Sequence, residues 1–178
     1  MQAFEFAILD WIQANMRCTA LDFLMPVVSN LAAYGFIWVV IGVILILTRK
    51  YRLCGFTEVI GLGAGSLLNN LLIKNLIARP RPVWLNPDVE ILVRIPTDYS
   101  FPSGHTAASF TAATVLLCYD RRFGIPAVIL ACLIAFSRLY LYVHFPTDIL
   151  AGIFFGILVG ILSIVVLKKI ALRRASRS

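Results

Sequence analysis

Long apolar runs constrain the fold of this chain more than any other feature of its sequence. Five runs are long enough, or nearly so, to cross the roughly 30 Å hydrocarbon core of a bilayer as helices of about 20 residues. They occupy residues 31–48, 53–77, 105–119, 124–143 and 148–167, and the third is short. Backbone N–H groups in lipid need partners within the protein, and no segment shows the alternation of a barrel strand. The sequence therefore predicts an all-α fold, a polytopic bundle of membrane helices.

The composition agrees with one membrane-embedded domain over residues 1–178. Hydrophobic residues make up 60% of the chain and the mean hydropathy is +0.88, whereas soluble domains are nearer half apolar. The net charge is +7 although only 14% of the residues are charged. A basic surplus can indicate nucleic-acid binding, but the hydropathy favours membrane topology as its cause. We therefore expect no nucleic-acid partner.

The first 30 residues leave two arrangements open. Apolar side chains recur there at helical spacing and polar ones lie elsewhere on the wheel, which suits an interfacial helix. The apolar set is Phe4, Ile8, Trp11, Ile12 and Met16, and the polar set is Glu5, Asp10 and Gln13. A second apolar piece, 22–30, contains Pro26. The region forms either an interfacial helix with a half-span or one tilted sixth span, so the bundle has about six helices.

Small residues mark two faces for close helix packing. They are Gly61, Gly63, Gly65 and Ser66 on the second run, and Gly152, Gly156 and Gly160 on the last. Both sets favour contacts inside the bundle, and dimerisation through the last set is the alternative.

Basic residues divide the chain between the two sides of the membrane, because Lys and Arg gather in cytoplasmic loops. Three basic clusters alternate correctly with the apolar runs: Arg49, Lys50 and Arg52; Arg121 and Arg122; and Lys168, Lys169, Arg173, Arg174 and Arg177. We expect all three clusters, and with them the C-terminus, to be cytoplasmic. The segments 74–105 and 138–148 then share the extracytoplasmic face.

A pair of cations forms the first polar cluster at this face. Lys74 ends a helix, and Pro80 and Pro82 break it and hold the following chain extended. Lys74 and Arg81 can then turn toward one point, where an ammonium and a bidentate guanidinium suit a phosphate group. The same side chains could instead snorkel and anchor the chain to lipid headgroups.

A second cluster begins a helix. Ser103 is a good N-cap residue, and Gly104 lets a ligand approach the backbone. A helix N-terminus offers free N–H groups to an anion, and His105 in its first turn could serve as an acid. The alternative is an ordinary capping motif with an incidental histidine.

The third cluster is the most specific of the three. Arg138 lies inside an apolar run and therefore needs a negative partner. Pro146 suits the first turn of the next helix, which places Asp148 about one turn along from His144. A carboxylate that accepts one ring N–H fixes the tautomer and leaves the other nitrogen free to attack. A purely structural hydrogen bond between these two residues is the alternative.

Together the three clusters resemble the signature motifs of the type 2 phosphatidic acid phosphatase superfamily. The matching residues are Lys74-x6-Arg81-Pro82, Pro102-Ser103-Gly104-His105 and Ser137-Arg138-x5-His144-x3-Asp148, complete and in order. The resemblance covers about residues 53–168, the motif-bearing core. It implies a membrane lipid phosphatase that uses no metal and no other cofactor.

The resemblance also implies a role for each residue. His144 is the expected nucleophile and forms a phosphohistidine, Asp148 orients it, and His105 protonates the leaving oxygen and later activates water. The residues expected to bind phosphate are Lys74, Arg81, Ser103, Gly104 and Arg138. Phosphoryl transfer needs charge stabilisation, which three cations can supply, and no carboxylate cluster offers a magnesium site.

The substrate is less constrained than the reaction. The chain most resembles bacterial undecaprenyl diphosphate phosphatases, which implies a plasma (inner) membrane location and a role in recycling the lipid carrier of peptidoglycan synthesis. Phosphatidylglycerophosphate, phosphatidate and lipid A phosphate are alternative substrates. The largest extracytoplasmic loop, 83–101, shapes the entrance and carries Asp88, Glu90, Arg94 and Asp98.

Two other classes of protein remain open. In a lipid phosphotransferase, a lipid or sugar hydroxyl would replace water at the phosphohistidine. In a bis-histidine haem protein, both histidines would face each other inside the bundle, which leaves the conspicuous cations unexplained. The sequence indicates no oligomeric state.

Overall fold

The apolar runs fold as helices in a computed structural model that describes residues 2–176. The helices are α1 Gln2–Met16, α2 Thr19–Leu31, α3 Phe36–Leu47, α4 Arg52–Leu67, α5 Lys74–Ile77, α6 Pro82–Leu85, α7 Gly104–Tyr119, α8 Arg121–Tyr140 and α9 Pro146–Ala175. A π-helical stretch, Leu68–Ile73, joins α4 to α5. Residues 2–176 contain no β-strand, and the predicted all-α membrane bundle is confirmed.

Within residues 2–176, three helical segments are long and apolar enough to cross a membrane, namely Arg49–Leu85, Arg121–Tyr140 and Pro146–Arg174. A fourth candidate is a bent pair, Thr19–Leu31 with Ala33–Leu47, whose halves meet at 46°. The chain turns between them through left-handed backbone at Tyr34 and Gly35, with φ of 54° and 74°. In the N-terminal region, α1 is a separate helix, and the short helix α2 forms the bent pair with the apolar run 31–48.

Helix α7 is the central element that positions the site. Its 16 residues rise about 24 Å, less than the thickness of the hydrocarbon core, as expected for the shortest run. It packs against α4, α8 and α9, the helices that carry or adjoin the other two motifs. The N-terminus of α7 therefore lies among the segments that bear the remaining candidate residues.

Glycines allow α7 and α9 to approach closely. A Cβ atom added at Gly156 would lie 2.4 Å from the carbonyl oxygen of Ala107, and one at Gly152 would lie 2.9 Å from that of Ser103. Gly160 faces the same helix. The predicted packing role of this stripe inside the bundle is confirmed. The contact at Gly152 also fixes the start of α7 against the first turns of α9.

The small residues of α4 do not all share one role. A Cβ atom at Gly61 would lie 2.9 Å from Oγ of Ser163, and one at Gly65 would lie 3.2 Å from Val159. At Gly63, in contrast, no atom of residues 2–176 lies within 4 Å of such a Cβ atom. Gly63 therefore lies outside the packing face that the sequence predicts for this run.

Three basic clusters gather at one end of the bundle. Tyr51 donates a hydrogen bond of 2.9 Å to Oδ2 of Asp120, which links the loop after α3 to the loop after α7. Lys168 lies over the ring of Tyr119, 5.2 Å from its centroid, so the last part of α9 is at the same end. Ser103 caps the N-terminus of α7 and Tyr119 is its last residue, so Ser103 lies at the other end. Arg177 lies outside the described residues.

Helix α1 turns a different face inward from the one that its apolar pattern indicates. Phe4 is 71% exposed and Trp11 is 59% exposed, whereas Glu5, Leu9 and Ile12 are buried. An exposed aromatic face is consistent with an interfacial position. Glu5 was expected on the polar side, and it lies inside because it contacts buried polar groups described below.

Candidate active site

The chain between α4 and α6 brings Lys74 and Arg81 to one point. The π-helical stretch Leu68–Ile73 widens the end of the long helix, and α5 stops at Ala78, whose φ of 47° is left-handed. Pro82 begins α6, and the residue before it has extended backbone with φ −81° and ψ 153°. Only 5% of Lys74 and 2% of Arg81 are exposed.

A carboxylate from the loop before α7 occupies the space between these cations. Asp98 accepts a hydrogen bond from Lys74 Nζ, and its Oδ1 lies 2.8 Å from Arg81 Nη2. Burial opposes ionisation of Asp98, but the hydrogen bonds and charges of the two cations outweigh it and lower its pKa to about 2. Asp98 is therefore an anion held where the sequence predicts phosphate, and its side chain remains 54% exposed.

The N-terminus of α7 is capped as the sequence predicts. Ser103 Oγ accepts hydrogen bonds from the backbone N–H of Thr106 at 3.4 Å and from its hydroxyl at 3.0 Å. The backbone N–H of Ser103 donates to the carbonyl oxygen of Asp148 at 3.1 Å, so this start is tied to α9. Gly104 has no Cβ, and Asn69 Nδ2 would lie 3.4 Å from one. His105, the next residue, is partly exposed.

The geometry around His144 defines its tautomer. Its Nε2 lies 3.1 Å from Nη1 of Arg81, and because a guanidinium can only donate, Nε2 must accept. The proton therefore sits on Nδ1, which lies 3.4 Å from Ser100 Oγ and 3.5 Å from Asp148 Oδ2. Burial lowers the pKa of His144 well below its ordinary range, and the charges of Arg81 and Arg138 act in the same direction. The ring is neutral, with an unprotonated nitrogen toward the cations.

Asp148 is fully buried, and both oxygens of its carboxylate accept hydrogen bonds. Oδ2 accepts hydrogen bonds from the hydroxyl of Ser100 and from the backbone N–H of Phe145, the latter at 2.8 Å. Oδ1 accepts from Nη1 of Arg79 at 2.6 Å. The distance to the His144 ring exceeds that of an ordinary N–H···O bond. Ser100 therefore shares the contact with the ring that the sequence assigned to Asp148 alone.

Arg138 is buried, and no carboxylate of the described chain forms a salt bridge with it. Its Nη1 donates a hydrogen bond to Ser29 Oγ on α2. Within residues 2–176 its Nε has no hydrogen-bond partner and no salt bridge involves the side chain. The negative partner that the sequence requires is thus not supplied by the described chain. A guanidinium in this condition has unused capacity to bind an anionic ligand.

All eight predicted residues converge on one end of the bundle. They are Lys74, Arg81, Ser103, Gly104, His105, Arg138, His144 and Asp148. The charges of Lys74, Arg81 and Arg138 act on both imidazoles, and His144 acts on His105. The result is a cup with positive walls, a helix N-terminus and an unprotonated imidazole nitrogen. We refer to these eight residues as the cation cup.

Three neighbouring polar residues escaped the sequence-based prediction. Ser100 lies on the segment just before the second motif, and its closeness to that motif in the sequence is the only signal that could have identified it. Arg79 breaks the positive-inside bias, which indicates a role but not a partner. Asn69 is buried with both amide atoms unpartnered in the described chain, and it lies beside Gly104 through a π-helical turn that the sequence does not predict.

Comparisons with known proteins agree with this geometry. The family model described as "PAP2 superfamily" matches residues 52–171. An undecaprenyl-diphosphatase from Sulfolobus acidocaldarius is 35% identical over 138 residues, which cover 75% of this chain and 66% of that protein. Undecaprenyl-diphosphatase BcrC from Bacillus subtilis is 30% identical over 148 residues, 81% of this chain and 74% of that protein.

A solved structure extends the similarity to the whole fold. The crystal structure of the first transmembrane PAP2 type phosphatidylglycerolphosphate phosphatase from Bacillus subtilis matches with a TM-score of 0.77. The two sequences are 30% identical, and the match covers 95% of this chain and 87% of the other. The match thus includes the N-terminal region that precedes the span of the family model.

Proposed function

Because the chain belongs to the PAP2 superfamily and the relatives described above are phosphatases, we propose that it hydrolyses a phosphate ester or anhydride on a membrane lipid through a phosphohistidine at His144. The observation that carries the proposal is the position of His144. Its neutral ring presents Nε2 toward buried cations, as a nucleophile for phosphorus must.

The reaction divides into two displacements. In the first, His144 Nε2 forms a bond to phosphorus while the bond to the leaving oxygen breaks, and that oxygen takes a proton from His105. In the second, His105 accepts a proton from water, the water oxygen bonds to phosphorus, and the phosphorus–nitrogen bond breaks to release phosphate. Asp148 and Ser100 stabilise the positive charge on the ring between the two steps.

The walls of the cup stabilise the transferring phosphoryl group. Lys74, Arg81 and Arg138 provide the positive charge, and the Ser103 hydroxyl and the N–H of Gly104 bind at the positive end of the α7 dipole. Asp98 must leave Lys74 and Arg81 when substrate phosphate enters, because the same donors serve both. Its partial exposure supports this exchange.

Undecaprenyl diphosphate is the substrate that the comparisons favour. Both curated relatives described above bear the name undecaprenyl-diphosphatase. A diphosphate also carries enough negative charge to engage three buried cations. Phosphatidylglycerophosphate is the second candidate, since the matching solved structure is a phosphatase of that lipid.

The location proposed is the plasma membrane, with the cation cup on the extracytoplasmic side. The protein is a multi-pass membrane protein by its helices and relatives. Its basic loops lie at the end opposite the cup, and such loops are retained in the cytoplasm. The C-terminus is then cytoplasmic.

A phosphate-release panel in detergent and EDTA tests the proposal. The wild type should release phosphate from undecaprenyl diphosphate fastest, without added lipid acceptor, and the variant His144→Ala should release none. Arg94→Gln, which changes an exposed charge in the entrance loop, is the matched control and should remain active. Wild-type rates in His144→Ala would refute the mechanism. A requirement for a hydroxyl acceptor would identify a transferase, and a Soret band would identify a haem protein.

A further inference from the structure

Arg79 lies directly behind Asp148, outside the cation cup. Its Nη1 donates to Asp148 Oδ1 at 2.6 Å and to Thr147 Oγ1 at 2.7 Å. Its guanidinium carbon lies 4.1 Å from the ring centroid of Phe145, so the group is stacked as well as hydrogen-bonded. These contacts fix Arg79 in one orientation against the first turn of α9.

Glu5 of α1 holds the other side of Arg79. Its Oε2 lies 2.6 Å from Arg79 Nη2, and its Oε1 accepts from the Thr147 hydroxyl at 2.5 Å. The side chain is 2% exposed although it is a carboxylate. A buried carboxylate is costly without such partners, so the pair with Arg79 explains why α1 turns this face inward.

The trio formed by Glu5, Arg79 and Asp148 carries a net charge of −1. This charge lies on the Nδ1 side of His144, which becomes positive when Nε2 bonds to phosphorus. The cations that face His144 from the cup are Lys74, Arg81 and Arg138, the second imidazole is that of His105, and Asp98 and Asp148 are the facing carboxylates. A trio with a net negative charge offsets part of the positive charge around His144, whereas a neutral trio would not.

We propose that Glu5 and Arg79 are positioning residues for catalysis, through which the N-terminal helix sets the charge and orientation of Asp148. The proposal rests on the proposed function of His144 as nucleophile. Arg79 holds Asp148 in place but neutralises it, and Glu5 offsets that neutralisation. Neither residue is among the expected phosphate ligands, so both should act on kcat and on its pH dependence and leave KM nearly unchanged.

Charge counting gives a different result for each variant. Glu5→Gln leaves the trio at zero, Arg79→Gln leaves it at −2, and the double variant returns it to −1. A less negative trio destabilises the protonated ring, which moves the acid limb of kcat/KM to lower pH, and a more negative trio moves it to higher pH. Each single change should lower kcat by roughly 10–100-fold, as loss of a supporting hydrogen-bond partner does.

The experiment compares pH–rate profiles of phosphate release in the purified wild type, the two single variants and the double variant. The acid limb should shift in opposite directions in the single variants and return close to the wild-type position in the double variant. Arg79→Lys keeps the positive charge but lacks the two guanidinium nitrogens that bind Asp148 and Glu5 together. This variant should therefore keep the wild-type position of the acid limb and lose only kcat. That variant also serves if Arg79→Gln does not purify as a folded protein.

Asp10→Asn is the matched control on the same helix. Asp10 accepts a hydrogen bond from the Tyr142 hydroxyl at 2.6 Å and so helps to dock α1, but the hydrogen-bond partners of Arg79 are Glu5, Thr147 and Asp148. It should retain the wild-type acid limb. Acid limbs that coincide in all variants, additive losses in the double variant, or an Asp10→Asn profile equal to that of Glu5→Gln would overturn the proposal. Activity in His144→Ala would instead overturn the underlying mechanism, so the two failures are distinguishable.

Discussion

Substitution of Gly156 by alanine should push apart α7 and α9, the helices that carry Ser103 and Asp148 at their starts. The added Cβ atom would lie 2.4 Å from the carbonyl oxygen of Ala107 and 2.9 Å from Cβ of Phe110, whereas ordinary contact begins at 3.4 Å. Backbone atoms cannot rotate away, so α7 and α9 must move apart by about 1 Å. The neighbouring atoms of α7 leave no space for the added methyl group.

The magnitude follows from this displacement. Overpacking of this kind costs roughly 1–3 kcal/mol, against a gain of at most about 1 kcal/mol in helix propensity from glycine to alanine. The hydrogen bond from Ser103 to the carbonyl oxygen of Asp148 crosses the same interface at 3.1 Å. A shift of about 1 Å there misplaces the start of α7 relative to α9 and should lower kcat by up to about 100-fold.

The assay measures phosphate release and thermal unfolding of Gly156→Ala beside Gly63→Ala. No atom of the described chain lies within 4 Å of a Cβ added at Gly63, so its variant tests helix propensity without a clash. We expect the control to be as active and at least as stable as the wild type. If Gly156→Ala matches the control in both measurements, the close approach of α7 and α9 does not set the geometry of the site.

Three further predictions concern the cation cup. Asp98→Asn should lower the inhibition constant of inorganic phosphate several-fold, because Lys74 and Arg81 lose a competing anion; an unchanged constant would contradict this. Ser100→Ala should lower kcat about 10-fold through loss of a charge-assisted hydrogen bond of about 1.5 kcal/mol, and a wild-type kcat would count against it. The pKa of His144 is depressed, so its neutral form persists below pH ~6.5; an acid limb of kcat/KM above that pH would oppose this assignment.

The sequence predicts well those features that depend on local pattern. Apolar runs predict membrane helices because, in lipid, such segments satisfy their backbone hydrogen bonds within the segment only as helices. Ser103 is an N-cap and Pro146 begins α9, since both preferences are set by backbone geometry within one turn. The convergence of the three clusters follows from topology, because the segments that carry them share one side of the bundle.

The sequence predicts poorly the contacts that join distant segments. Glu5 and Arg79 are 74 residues apart in the sequence. The amphipathic pattern of α1 assigns Glu5 to the exposed face, whereas its ion pair with Arg79, and not hydrophobicity, places the side chain inside. Asp98 reads as a loop charge, although it binds two cations of the cup. The bend at Tyr34 needs left-handed backbone at a residue that seldom adopts it, so no local signal marks it.

Trapping of the phosphoenzyme tests the central claim most directly. Wild-type protein mixed with ³²P-labelled lipid phosphate and quenched within milliseconds should carry an acid-labile, alkali-stable label that maps to His144. Ser100→Ala should carry the label at the same residue, and His144→Ala should carry none. A label on another side chain, or wild-type turnover with no labelled protein at any quench time, would contradict attack by this imidazole.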